Sequence, residues 1–141
     1  MLIKAVKKYD IKVVEIQLLE TNLAMVQEDL SYESFTYGLE LEHMTNPEEK
    51  LISNQCKVSI VCEDVEVGGI TVNGVFKVSN VDFEYDKNGI KNFPKDLATT
   101  LNDFIISTTR GIMSSEFRGT HLHHAYFPFI DPNNFSRENP Q

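Results

Sequence analysis

PKDLATTLNDFIISTTRGIMSSEFRG, residues 94–119, is where the chain changes its hydrophobic period, and its reading decides the fold. Pro94 suits the first turn of a helix, where a missing N–H has no intrahelical partner to lose, and Gly119 suits the C-terminal stop. A helix of about 24 residues would run roughly 36 Å at 1.5 Å per residue. On a 100° wheel Leu97, Leu101, Phe104, Ile105, Thr108 and Ile112 form one stripe, while Ile106, Met113 and Phe117 fall nearly opposite. A single sheet covers the first stripe only. The second then needs the chain's own C-terminal segment or the same helix of a second subunit, and we expect Ile106, Met113 and Phe117 to line an oligomer interface. Burying each would contribute ~1.5–3 kcal/mol. The β-branched run Ile105, Ile106, Thr108, Thr109, followed by Gly111, lowers the intrinsic propensity of the helix centre and marks Gly111 as its weak point.

Upstream the period is two. Phe35, Tyr37, Leu39 and Leu41 alternate with Thr36, Gly38, Glu40 and Glu42, the pattern of a strand with one face on the core and one in water. Before it, from Ile11 to Val26, Val14, Ile16 and Leu18 share a face and then Leu19, Thr21, Leu23 and Met25 continue with shifted parity, as a bulged strand does. After the Asn46-Pro47 turn, Cys56, Val58, Ile60 and Cys62 share a face in a third strand. Gly68-Gly69 and Asn73-Gly74 then bracket a short loop. Beyond it Phe76 and Val78, followed by Val81, Phe83 and Tyr85 with shifted parity, form a bent fourth strand reaching the turn at Asn88-Gly89.

Downstream, Thr120 to Phe135 is aromatic and bounded by proline, which predicts an irregular strap laid across the core, and residues 136–141 read as a disordered tail. The fold class is therefore α+β: a four-stranded antiparallel sheet, one long helix and a C-terminal strap, in a single domain over residues 1–141. No repeat or linker divides the chain.

Composition narrows the function. With 141 residues, 41% hydrophobic and 24% charged, the chain is long enough to close a core without metal or disulfide help. The net charge of −8 repels phosphate backbones and anionic lipid, which excludes nucleic acid and membrane as expected partners. No run approaches the roughly 20 apolar residues of a membrane span, and the start MLIKAVKK lacks the long apolar run of a secretory signal, so a cytoplasmic protein is expected. Cys56 and Cys62, six residues apart on one strand, would lie about 20 Å apart and stay free.

Few residues carry chemistry. His121, His123 and His124 form the one cluster with metal-ligand character, suited to zinc or nickel. No H-E-x-x-H motif, Cys pair or carboxylate base accompanies them. The plainer reading has them hydrogen-bonding around the strap or lining an interface. There is no G-x-S-x-G, no activating setting for either thiol and no phosphate cradle among the glycines. No metal, cofactor or enzymatic activity is expected. What remains is nine Phe and five Tyr without Trp. If Phe76, Phe83, Tyr126, Phe127 and Phe129 line a groove between sheet and strap, that surface suits unfolded polypeptide, because aromatic faces accept many side-chain shapes.

Ser107-Thr-Thr-Arg-Gly111, Arg118-Gly-Thr120 and Pro128-Phe-Ile-Asp-Pro-Asn-Asn-Phe135, with Gly74-Val-Phe76 more weakly, are similar to motifs of the SecB-like export chaperone family. The resemblance is strongest from Ile106 to Phe135. It implies a homotetramer built as a dimer of dimers and ATP-independent holding of unfolded polypeptides. It also implies as partners the SecA translocase motor or, in relatives with other duties, an antitoxin. The acidic positions that would dock the motor have no counterpart near Asn22 or Ser79. Two other readings stand beside it: a small metal protein using the three histidines, and a structural oligomer without clients.

Overall fold

Long alternating segments joined by short turns pair as antiparallel neighbours, and here they do so in one sheet. The computed structural model describes residues 8–24, 34–87 and 89–130. Strands β1 (Ile11–Leu23), β2 (Phe35–Asn46), β3 (Leu51–Cys62) and β4 (Val65–Val78) are followed by a short hairpin, β5 (Tyr85–Asp86) and β6 (Gly89–Ile90), and by helix α1 (Lys95–Glu116). The sheet order is β1-β4-β3-β2, so β1 and β2 form opposite edges.

In β3 every even position from Ile52 to Cys62 is buried, and the register sets Phe35, Tyr37, Leu39 and Leu41 of β2 opposite Cys62, Ile60, Val58 and Cys56. Both cysteines are free and buried, as expected. Strand β1 slips register between Val13 and Glu15 and again between Leu18 and Glu20, the second slip being the parity change read from the sequence. Met25 and Val26, assigned to this strand, lie outside the described residues, as do Asn88 and the expected tail.

The fourth strand differs from expectation. It begins at Val65, directly after a two-residue turn in which Glu63 and Asp64 take φ of 51° and 65°. Positive φ at both central residues is what a primed hairpin loop demands. The two glycine pairs lie inside the strand. A Cβ at Gly68 would sit 2.4 Å from Leu122 Cδ1 and 2.9 Å from Asn22 O; one at Gly74 would sit 2.7 Å from Phe76 Cζ. These glycines admit neighbours closely and do not turn the chain. The strand ends at Val78, which leaves Phe83 in the irregular segment before β5.

Helix α1 begins one residue after Pro94 and runs unbroken through Gly111 to Glu116, with Gly119 at φ 78° just beyond. Its start is anchored where Asp96 accepts hydrogen bonds from Lys8 Nζ and, at 2.6 Å, from Tyr9 Oη. Packed on one face of the sheet, α1 creates two clusters. Leu97 and Leu101 join Ile52, Phe76 and Val78 in one; Ile105, Ile106, Met113 and Phe117 join Cys56, Val58, Ile60, Ile70 and Val72 in the other. Between them Asn54, buried, donates from Nδ2 to Asn102 Oδ1 at 3.0 Å.

The expected oligomer-interface residues require a correction. Ile106, Met113 and Phe117 are 4%, 1% and 2% exposed within the single chain, against the sheet and against Leu122, Ala125 and Phe127 of the strap. Sheet and strap together cover a wider arc of the helix than one sheet does. Phe104, placed on the core stripe by the wheel, is 41% exposed. From Thr120 to Ile130 the strap has no strand and no helix, in line with its sequence. Among the described residues no helix is long and apolar enough to cross a membrane.

Candidate functional site

Strand β2 is apolar on its core-facing side but, among the described residues, pairs with a strand on one flank only, and that decides the exposure of its side chains. Phe35, Tyr37, Leu39 and Leu41 pack against the larger cluster yet stay half-buried, whereas their partners on β3 are buried. The result is a row of four apolar side chains beside an edge that offers backbone N–H and C=O groups. From Phe35 to Leu41, six residue steps, it spans roughly 20 Å.

The row is bounded at both ends. At one, the strap crosses Tyr37: the Phe127 ring stands edge-on to it at 5.7 Å, and the Tyr37 hydroxyl bonds the Tyr126 backbone. Burial pushes the Tyr37 phenol above its ordinary 10.0, and the backbone bond opposes that. At the other lies a cleft of about 530 Å³ lined by His43, Met44, Lys87, Ile90, Phe93 and Ala98 among others. Phe93 faces the His43 ring at 5.8 Å and stacks on Phe83 at 6.0 Å.

The five aromatics expected in a groove therefore separate. Tyr126 and Phe129 are 63% and 94% exposed on the strap, and Phe83 is half-buried behind the cleft. Phe76, 1% exposed, packs under α1 against Phe104, because β4 is a central strand and this position faces the helix. Phe127 is 4% exposed under the Arg110 side chain, which donates from Nε to Phe127 O at 3.0 Å and from Nη2 to Pro128 O at 2.8 Å. Neither Phe76 nor Phe127 is open to a ligand in this state. Missed by sequence reasoning were the β2 row, read only as core, and the cleft residues His43, Ile90 and Phe93. An aromatic directly before the Pro94 helix start was the one available signal for the last.

Other chemistry is sparse. His121, His123 and His124 are all exposed, with His123 Nδ1 2.7 Å from Thr120 O and the His123 and His124 rings 3.9 Å apart. Among the described residues no group of three or more His, Cys, Asp or Glu is placed to hold a metal ion. Burial raises the Cys56 thiol above its ordinary value, against a hydrogen bond to Thr109, which keeps it protonated and unreactive.

No family model matches the chain, and no curated protein does. Among solved structures it is similar to the Mycobacterium tuberculosis SecB-like chaperone in complex with a ChAD peptide from the HigA1 antitoxin. The likeness covers 85% of this chain and 84% of that one, at TM-score 0.55 and 14% identity. At that identity what the two share is the fold: a four-stranded antiparallel sheet followed by a long helix.

Proposed function

We propose that this protein is an ATP-independent holdase that takes non-native polypeptide along β2. The observation that carries the reading is the half-buried row Phe35, Tyr37, Leu39 and Leu41 on an edge strand that leads to the cleft lined by His43, Ile90 and Phe93. An extended client segment of about six residues would pair its backbone with the edge and set alternate side chains against the row. Main-chain pairing carries no sequence information, so one groove serves many clients. Exposed Tyr126 and Phe129 add apolar contact at the strap.

The clients are unfolded chains awaiting export or a dedicated partner, and the second class draws support from the antitoxin peptide held by the similar chaperone. The proposal includes action in the cytoplasm as one domain, without cofactor or catalysis. It also includes a homo-oligomer, a dimer or dimer of dimers. Support for assembly now comes from edge strand β1, whose Val13, Val14, Leu18, Leu19 and Leu23 are between 41% and 52% exposed. Exposed apolar side chains along a strand that forms a sheet edge among the described residues invite pairing with a second chain.

The test is suppression of aggregation. Light scattering of an unrelated protein unfolding on heating should fall as the purified chain is added, without ATP. Undiminished scattering at large molar excess would refute the holdase reading.

A further inference from the structure

The strap is fastened unevenly along its length. Its described backbone hydrogen bonds, from Thr120 to Phe117 O, His123 to Thr120 O and Ala125 to Leu122 O, are local and end at Ala125. From Tyr126 onward the named polar attachments are the Tyr126 backbone N–H donating to the Tyr37 hydroxyl oxygen and the Arg110 guanidinium donating to two successive carbonyls. Phe127 is driven in, 4% exposed, between Tyr126 at 63% and Phe129 at 94%, and Ile130 beyond them is half-buried against the same cluster. One buried ring and one half-buried isoleucine leave a segment with modest apolar area holding it down.

Where that ring sits gives the segment a use. Phe127 fills the recess beside Tyr37, the second side chain of the half-buried β2 row, with its ring edge-on to the tyrosine. A client strand lying along β2 would bring its own side chain to the same recess. The two cannot occupy it together.

We propose that the strap is a displaceable plug, with Phe127 standing where a client's aromatic or aliphatic side chain goes and Arg110 the positioning residue that closes it. This rests on the polypeptide-binding reading above. Arg110 is suited to the task because a planar fork reaches two carbonyls at once while its face lies over the rings of Phe127 and Phe129, 5.8 and 5.0 Å from their centroids. A lysine offers one point charge and neither feature. Phe129, exposed but stacked on the same guanidinium, would move with the strap and become an added contact for the client.

The experiment combines amide hydrogen exchange with binding of a permanently unfolded probe, reduced and carboxymethylated lactalbumin, to the full chain, Arg110→Gln and Arg110→Lys. Losing two charge-assisted bonds should raise exchange of the Tyr126 amide, which is held by the Tyr37 hydroxyl oxygen, about tenfold in Arg110→Gln, with β3 and β4 unchanged and Arg110→Lys between. Probe binding should tighten about threefold or more, because opening no longer opposes it. Saturating the wild type with probe should also speed strap exchange, a response that a merely structural arginine would not give. Unchanged strap exchange in Arg110→Gln, or weaker probe binding by it, overturns the plug. If the wild type itself binds no probe, the polypeptide-binding reading falls and the plug falls with it. A wild type that binds well while strap exchange slows on binding overturns the plug alone.

Discussion

Replacing Met113 by Ala, and separately Phe117 by Ala, distinguishes a helix face buried within one chain from a face shared between subunits. Met113 is 1% exposed and Phe117 2%, enclosed by sheet and strap. Removing a buried Met or Phe side chain loses its transfer free energy and leaves a cavity, together about 2–5 kcal/mol. Unfolding entropy near 2.1 cal/mol/K per residue gives about 0.3 kcal/mol/K for 141 residues. A 3 kcal/mol loss then lowers Tm by about 10 °C. Thermal unfolding followed by far-UV circular dichroism reads the shift, and multi-angle light scattering of the same samples reads the mass. The expected outcome is a Tm lower by that amount with the wild-type mass retained below the transition. A reduced mass with an unchanged Tm would return both residues to an interface and refute their assignment to the core.

Three further outcomes are expected. Leu39→Ser, at a half-buried position in the middle of the β2 row, should weaken binding of unfolded polypeptide by ~1–2 kcal/mol in isothermal calorimetry and leave the fold intact by circular dichroism; unchanged affinity would move the client elsewhere. Gly68→Ala should cost ~1–3 kcal/mol in urea unfolding, because the added methyl meets Leu122 Cδ1 at 2.4 Å and the Asn22 carbonyl at 2.9 Å, and a neutral result would mean that both neighbours yield freely. Asp96 is held at about 2, below its ordinary 3.8, by hydrogen bonds from Lys8 and Tyr9. A depressed carboxylate contributes stability above pH 3.8 and loses it as pH falls through about 2. The Tm difference between wild type and Asp96→Asn should therefore be level above about pH 4 and close below it; a difference independent of pH would deny the ion pair any role.

How much was legible follows from how many faces of each element meet water. Strands β2 and β3 alternate because one face is solvated, and they were read correctly. Strand β4 is buried continuously from Val67 to Gly74 and has no alternation to read. Its glycines carry the same signal as a turn, and only the later arrival of Leu122 shows that Gly68 is small to let a side chain in. The Glu63-Asp64 turn was hidden for the opposite reason: two acidic residues take positive φ without the Asn-Gly signature. The helix ends were set by Pro94 and Gly119, local chemistry that sequence displays. Its buried arc was not, since that depends on how the strap after Gly119 folds back over the helix. The candidate site shares this limit. Half-burial of Tyr37 and Leu39 arises from the position of β2 in the strand order, which no residue of β2 encodes.

The Asn54–Asn102 hydrogen bond works as an index mark between helix and sheet. If α1 slid by one residue it would rotate 100°, and by one turn it would advance 5.4 Å. Either movement separates the two amides inside an apolar layer, at about 1–3 kcal/mol for each group left unpaired. Leucine and isoleucine at the flanking positions would tolerate such slippage far better, because apolar contacts exchange partners without penalty for direction. The amide pair, with the Cys56–Thr109 hydrogen bond further along, thus fixes the phase of the outer helix surface. Phe104 and the residues around it always face the same way, and they can change through substitution without disturbing the alignment of the layer beneath.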